Sequence, residues 1–80
     1  MSLETLEFGY LLVAERPGLS AIARGMAETP QAADSAVRRA LRAAWMDRET
    51  IEDQTELMMR LYGRLCSELK PVPGRLPPRA

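Results

Sequence analysis

Apolar residues recur with helical spacing through the middle of the chain. From residue 33 onward they follow one another at intervals of three and four, the pattern of an amphipathic helix, at Ala33, Ala36, Val37, Ala40, Leu41 and Ala44. Thr29 precedes them as an N-cap, and Pro30 takes the first helical position, where a missing N–H is tolerated. Trp45 offers a large apolar side chain to the core. We predict a helix over about residues 30–45.

A shorter apolar pattern precedes this helix, with Leu19, Ile22, Ala23 and Met26 on its inner side. Pro17 and Gly18 are expected to end an earlier helix and to turn the chain into this one. Two helices joined by a tight turn form a helix-turn-helix pattern. In such a unit the second helix enters a DNA major groove, with its N-terminal residues nearest the base edges.

Residues 2–15 are predicted to form a helix capped by Ser2. Its core-facing stripe is expected to comprise Leu3, Leu6, Tyr10, Leu11 and Ala14. Phe8, Leu12 and Val13 lie off this stripe, so the helix is apolar on more than one side. Such an excess of apolar surface suggests self-association.

The last helix is predicted to begin at a capping box that starts at Thr50 and has Asp53 as its fourth residue. Its apolar side comprises Leu57, Met58, Leu61, Tyr62, Leu65 and Leu69. The pair Met58 and Met59 is expected to be adaptable core, and Cys66 a partly buried hydrophobe. Residues 71–80, with four prolines, cannot continue a helix and are expected to form a flexible tail, with recognition by a proline-binding partner as the alternative.

These elements indicate an all-α fold of four or five helices built around a helix-turn-helix. A chain of 80 residues that is 46% hydrophobic suits one small domain, assigned to residues 1–70 and followed by the tail. Eleven basic and eleven acidic residues cancel, so the chain lacks the basic excess of a strong non-specific nucleic-acid binder. Residues 38–80 hold nine basic and six acidic groups, which form either a basic face or a surface of mixed charge.

The residue inventory excludes several kinds of chemistry. One cysteine and no histidine rule out a disulfide scaffold, a Cys/His zinc site and histidine acid-base catalysis. The carboxylates of Glu52, Asp53 and Glu56 suit a helix N-terminus better than a paired-acid site. We therefore expect no enzymatic activity, no cofactor, no metal and no small-molecule substrate. No apolar span or export signal is evident, which favours the cytoplasm and no membrane association.

The middle of the chain resembles a known family, the C-terminal DNA-binding domain of the sporulation initiation response regulator of endospore-forming Firmicutes. The resemblance rests on Ile22-Ala23, Thr29, Val37-Arg38-Arg39-Ala40-Leu41 and Ala44-Trp45, and more weakly on Thr55-Glu56-Leu57-Met58 and Leu65. It covers about half of the chain, and the connection over residues 46–54 is shorter than in the family. We expect no receiver domain before this segment. It implies a free-standing effector-like domain.

The resemblance also implies roles for residues of the second helix. In the family an acidic residue followed by arginine touches base edges, and here that pair is Asp34 and Ser35. The expected base contacts are Gln31, Asp34 and Ser35, and the expected phosphate contacts are Thr29, Arg38, Arg39 and Arg42. Arg38 matches the family's next helix-face arginine, and Arg39 replaces a family histidine.

Two function classes follow from the sequence. The first is a small transcriptional regulator that binds duplex DNA as a homodimer, whose two copies supply two half-sites. The second is a protein-interaction module, such as an adaptor or an inhibitor encoded by a phage or mobile element, that kept the fold and lost specific DNA reading. The sequence favours the first class narrowly, because the helix-turn-helix pattern points to DNA, whereas the neutral net charge and the loss of the guanine-reading arginine at Ser35 support the second.

Overall fold

The computed structural model describes residues 4–69, and all of their regular structure is helical. It contains α1 (Thr5–Met26), α2 (Pro30–Met46), a single 3-10 turn (Arg48–Thr50) and α3 (Gln54–Glu68). The all-α prediction is confirmed. The described residues hold three α-helices, fewer than the four or five predicted, because α1 is unbroken where the sequence predicted two helices. Ser2, Leu3 and the predicted tail lie outside the described residues.

The predicted break at Pro17 and Gly18 is wrong, since α1 runs through both residues. An interior proline removes one helical hydrogen bond and costs about 3 kcal/mol. Pro17 is exposed, so the carbonyl that loses its partner lies on the solvent side. On the inner side, Leu12 before the proline and Leu19 after it are both buried in one core. This burial offsets the cost of the proline only if the helix continues across it.

The continuity of α1 also changes which of its sides is buried. Phe8, Leu12, Leu19 and Ala23 face the core. The stripe predicted from residues 2–15 alone is wrong in its main members, because Leu6 is 87% exposed, Tyr10 is 74% exposed and Ala14 is exposed. A 22-residue helix must present one straight side to its neighbours. Leu19 and Ala23 align with Phe8 and Leu12, and this longer stripe determines the orientation.

Helix α2 begins and packs as its sequence predicts. The Thr29 hydroxyl oxygen accepts a hydrogen bond from the Ala32 N–H at 3.1 Å, and Pro30 is the first helical residue. Five residues of the predicted apolar stripe are buried: Ala33, Ala36, Val37, Ala40 and Ala44. Because four of these are alanine, the neighbouring helices can approach α2 closely.

Helix α3 begins three residues later than the predicted capping box. Its N-cap is Asp53, whose carboxylate accepts from the Glu56 N–H at 2.8 Å, whereas the Thr50 hydroxyl donates to the Asp47 carbonyl oxygen. The reason lies in Ile51, which is fully buried and has an extended backbone. The extended backbone at Ile51 places this side chain in the core, so α3 begins only after it.

The core is formed by all three helices, each of which packs against the other two. Helix α3 contributes Leu57, Leu61 and Leu65, as predicted. Within residues 4–69 no polar or charged side chain is buried. Two predictions on the same helix are wrong, because Cys66 and Met59 are exposed and only Met58 is half-buried. Neither residue lies on the stripe of the three leucines. None of the described helices is long and apolar enough to cross a bilayer.

Candidate functional site

The most polar surface of α2 lies opposite its buried alanines. Gln31, Ser35, Arg38 and Arg42 follow one another at intervals of four, three and four residues, which places them on one side of the helix. We call these four residues the outer stripe of α2. Three of them are exposed, and Ser35 is half-buried. Asp34 is exposed at the edge of the stripe. The structure thus brings together four of the seven residues that the sequence assigned to DNA contacts.

The three arginines of α2 have different surroundings. Among residues 4–69, no hydrogen bond or ion pair engages the guanidinium of Arg38 or Arg42. Arg39 faces α3 instead, and its Nε donates to a carboxylate oxygen of Glu68 at 2.7 Å. Sequence reasoning placed Arg39 with the other two as a phosphate contact. The structure gives it an internal partner, although its side chain remains 54% exposed.

Glu68 is the acceptor for cations from two helices. Its second carboxylate oxygen lies 3.2 Å from Nε of Arg64, one turn earlier on α3. The hydrogen bond from Arg39 lowers the pKa of the Glu68 carboxyl, and the charge of Arg64 adds to the effect. Glu68 therefore stays ionised at neutral pH and ties α2 to α3. Sequence periodicity gives no sign of this pair, because its members are 29 positions apart.

Thr29 lies at the N-terminus of α2, where it is exposed. Its hydroxyl oxygen already accepts the hydrogen bond that caps the helix. The hydroxyl proton is still able to donate to an anion such as a phosphate oxygen. Thr29 is therefore a capping residue first, and a phosphate contact only through that donor.

Two surfaces were not identified as sites from the sequence. One is the outer side of α1, where Leu6, Tyr10 and Val13 are each more than two-thirds exposed. The sequence did signal excess apolar surface on this helix, but it assigned Leu6 and Tyr10 to the core. The other is a shallow groove of about 340 Å³ between α2 and α3, lined by Ala40, Ala43, Ala44, Asp47, Met59, Arg60, Gly63 and Arg64.

Both arginines that line this groove are engaged locally. Arg60 donates to Glu56 at 3.0 Å, and Arg64 pairs with Glu68. The groove therefore presents mainly small apolar side chains between two neutralised cations. Among the described surfaces, the outer stripe of α2 is where two arginines one turn apart lack an acidic partner.

Comparisons of the chain with protein-family models, with curated proteins and with solved structures yield no match.

Proposed function

We propose that this chain is a small DNA-binding regulator that inserts α2 into the major groove of duplex DNA. The observation that carries the proposal is the pair Arg38 and Arg42, which are exposed one turn apart on one side of a helix and are engaged by no residue of the described part of the chain. Arginine supplies the charge-assisted contacts that dominate affinity for phosphates. The sequence resemblance to the sporulation regulator's DNA-binding domain points to the same helix.

The dimensions of α2 suit this role. Its 17 residues span about 25 Å, and a major groove about 12 Å wide admits one helix. The outer stripe places Gln31 and Ser35 toward the N-terminal end of the helix and the two free arginines toward its middle and C-terminal part. We therefore assign base contacts to Gln31, Asp34 and Ser35, and phosphate contacts to Arg38 and Arg42.

The assignment predicts weak base discrimination. A glutamine can bind adenine with two hydrogen bonds, and a carboxylate can accept from a cytosine amino group. A serine hydroxyl can both donate and accept, so it does not discriminate between bases. No arginine occupies the base-reading end of the stripe to bind guanine. Thr29 contributes a hydroxyl donor to a phosphate, and Arg39 contributes the exposed part of a guanidinium already paired with Glu68. Phosphate contacts then supply most of the affinity.

The test is fluorescence anisotropy with a labelled 20-base-pair duplex at about 50 and 150 mM salt. The wild-type affinity should fall steeply with salt, because phosphate contacts release counterions, and Arg38→Ala or Arg42→Ala should each reduce the log–log slope by about 1. Arg60→Ala is the matched control, since Arg60 is an exposed arginine paired within α3. Absence of binding at the lower salt, or equal binding by wild type and Arg38→Ala, would refute the proposal.

Base reading is tested separately by Ser35→Arg, which introduces a bidentate guanine reader at the position that lacks one. The variant should gain a preference for duplexes with guanine at one position, whereas Arg38→Ala should weaken all duplexes alike. A variant that binds every duplex in the panel as the wild type does would place residue 35 away from the base edges.

A second candidate function is a protein-interaction module. The apolar outer side of α1 favours it, since large exposed side chains in a row mark interaction surfaces. The two candidates make opposite predictions for one pair of variants. A protein partner held by α1 would be lost in Tyr10→Glu and retained in Arg38→Ala, whereas binding of duplex DNA would be unchanged in Tyr10→Glu and weakened in Arg38→Ala.

A further inference from the structure

One side of α1 is apolar along most of its length and faces away from the core. We define the outer face of α1 as Leu6, Tyr10, Val13, Ala14, Pro17 and Ala21. All six are exposed, and the three largest are 87%, 74% and 72% exposed in chain order. They lie opposite Phe8, Leu12 and Leu19, whose burial fixes the orientation of the helix.

We propose that this outer face is a self-association surface, on which a second copy of the chain packs with its α1 antiparallel to the first. Closed dimers of identical chains use the same patch on both copies, so the patch must be complementary to itself. The outer face of α1 meets this requirement in both side-chain size and charge. The proposal does not depend on DNA binding, because no residue of α2 belongs to the face.

Side-chain size is distributed unevenly along the face. The large residues Leu6, Tyr10 and Val13 occupy its N-terminal half, and the small or short residues Ala14, Pro17 and Ala21 occupy its C-terminal half. An antiparallel register that places Tyr10 opposite the partner copy's residue 21 also places Ala14 opposite residue 17. Large side chains then meet small ones along the contact, which is the condition for close packing. A parallel register would oppose tyrosine to tyrosine and leave a gap at the alanines.

Charge favours the same register. Glu7 lies beside the outer face near its N-terminal end, and Arg24 lies just beyond its C-terminal end. Both are exposed, and neither has an ion-pair partner among residues 4–69. The antiparallel register that pairs residues 10 and 21 brings Glu7 opposite residue 24 of the second copy. Because the dimer is symmetric, this pair of opposite charges occurs twice. A parallel pairing would bring like charges together, which is unfavourable.

The small extent of the face indicates a weak association. Helix α1 is about 33 Å long, and a contact between two single helices lies at the small end of specific interfaces. We expect a reversible dimer with a dissociation constant on the order of 10 µM.

Sedimentation velocity of the full chain between about 1 and 500 µM tests the proposal. The wild type should shift from monomer to dimer across this range, and Tyr10→Glu should raise the dissociation constant at least tenfold. Thr5→Glu is the matched control, because Thr5 is exposed on the same helix outside the outer face. Circular dichroism at low concentration verifies that each variant is folded. A wild type that stays monomeric, or a Tyr10→Glu variant that behaves like Thr5→Glu, would overturn the proposal.

Orientation is tested by exchanging the two charges. Glu7→Arg and Arg24→Glu should each weaken dimerisation by about three- to tenfold, since each variant places like charges opposite one another at both symmetric positions. The double variant Glu7→Arg/Arg24→Glu restores opposite charges and should return to within about threefold of the wild type. A double variant weaker than both single variants would exclude the antiparallel register. Since Arg38→Ala is assayed on duplex DNA and Tyr10→Glu by sedimentation, either proposal can fail without the other.

Discussion

Trp45 is held at the edge of the core by contacts from two elements. Its ring lies 6.1 Å from that of Phe8, centroid to centroid, and the two are tilted by 56°. The guanidinium carbon of Arg48 lies 4.3 Å from the centroid of the Trp45 ring, and Nη1 of Arg48 donates to the Trp45 carbonyl oxygen at 2.9 Å. The indole is therefore a half-buried side chain at the edge of the core that joins α1 to the end of α2.

Arg48→Ala should lower the free energy of unfolding by about 1 kcal/mol, because it removes a cation–π contact and a hydrogen bond to the backbone. Urea unfolding followed by fluorescence of the single tryptophan measures the change. Arg60→Ala serves as control, since it removes an exposed ion pair within one helix, worth about 0.3–0.5 kcal/mol. A loss in Arg48→Ala no larger than in the control would show that Arg48 does not hold Trp45.

Arg39→Ala should raise the pKa of the Glu68 carboxyl toward its ordinary value, because the hydrogen bond from Arg39 is the largest cause of its lowering. An NMR titration of the side-chain carboxyl measures the shift. Arg38→Ala is the matched control, as the neighbouring arginine does not contact Glu68. Equal Glu68 titration curves in the two variants would contradict the role assigned to Arg39.

The same pair makes stability depend on pH in a defined direction. A carboxyl whose pKa is lower in the folded than in the unfolded chain stabilises the fold above the unfolded value, near 4.3, and this stabilisation is lost as pH falls through the folded value. Urea unfolding at about pH 3, 5 and 7 should show a smaller decrease at low pH for Arg39→Ala than for the wild type. An equal decrease would indicate that other carboxyls cause the pH dependence.

At the scale of the element, α1 shows how tertiary packing overrides a local signal. Proline and glycine in succession are typical of a helix end, and here both lie inside a helix. Gly18 has a specific reason to lack a side chain, because a Cβ there would lie 2.9 Å from the Tyr62 hydroxyl oxygen. That hydroxyl donates to Glu15 at 3.5 Å, and burial together with the nearby Glu15 carboxylate raises the pKa of Tyr62. The glycine thus leaves room for the Tyr62 hydroxyl against α1.

Pro17→Ala should raise the free energy of unfolding by about 1–3 kcal/mol, because alanine restores the missing helical hydrogen bond and is the better helix former. The measurement is urea unfolding followed by circular dichroism at about 1 µM, where the expected dimer is dissociated. Ala14→Pro, at another exposed interior position of the same helix, should have the opposite effect and cost about 3 kcal/mol or more. A destabilised Pro17→Ala variant would argue against a continuous α1.

At the scale of the whole molecule, the small residues of α2 determine how closely the three helices pack. Ala33, Ala36, Ala40 and Ala44 are all at most 5% exposed, and the large core side chains come from α1, α3 and Ile51 between α2 and α3. The large side chains of α1, α3 and Ile51 thus pack against the small side chains on the inner side of α2. Such an arrangement fills a core in a short chain but leaves little room for additional atoms.

Ala36→Leu should therefore destabilise the fold by about 1–3 kcal/mol, because a side chain three carbons larger must displace its neighbours. Ala32→Leu, at an exposed position one turn earlier on the same helix, should leave the free energy of unfolding nearly unchanged. Chemical unfolding of both variants makes the comparison. If both variants are equally stable, Ala36 does not lie at a close contact between helices.

The sequence by itself determined the helical class, the start and inner stripe of α2, and the leucine side of α3. These features are local, since a cap and a spacing of three or four residues act within one or two turns. Exposure of Gln31, Asp34, Arg38 and Arg42 follows from the same periodicity.

Only the tertiary structure decided that α1 continues through Pro17, which of its sides is buried, where α3 begins, and that Arg39 is paired. Each of these outcomes depends on a residue distant in the chain or on the burial of a side chain in the shared core. The burial of Leu19 determines which side of α1 faces the core, and the burial of Ile51 places the start of α3 after it. Glu68 pairs with Arg39 from another helix. Local periodicity contains no information about such partners, because they meet only when the three helices pack together.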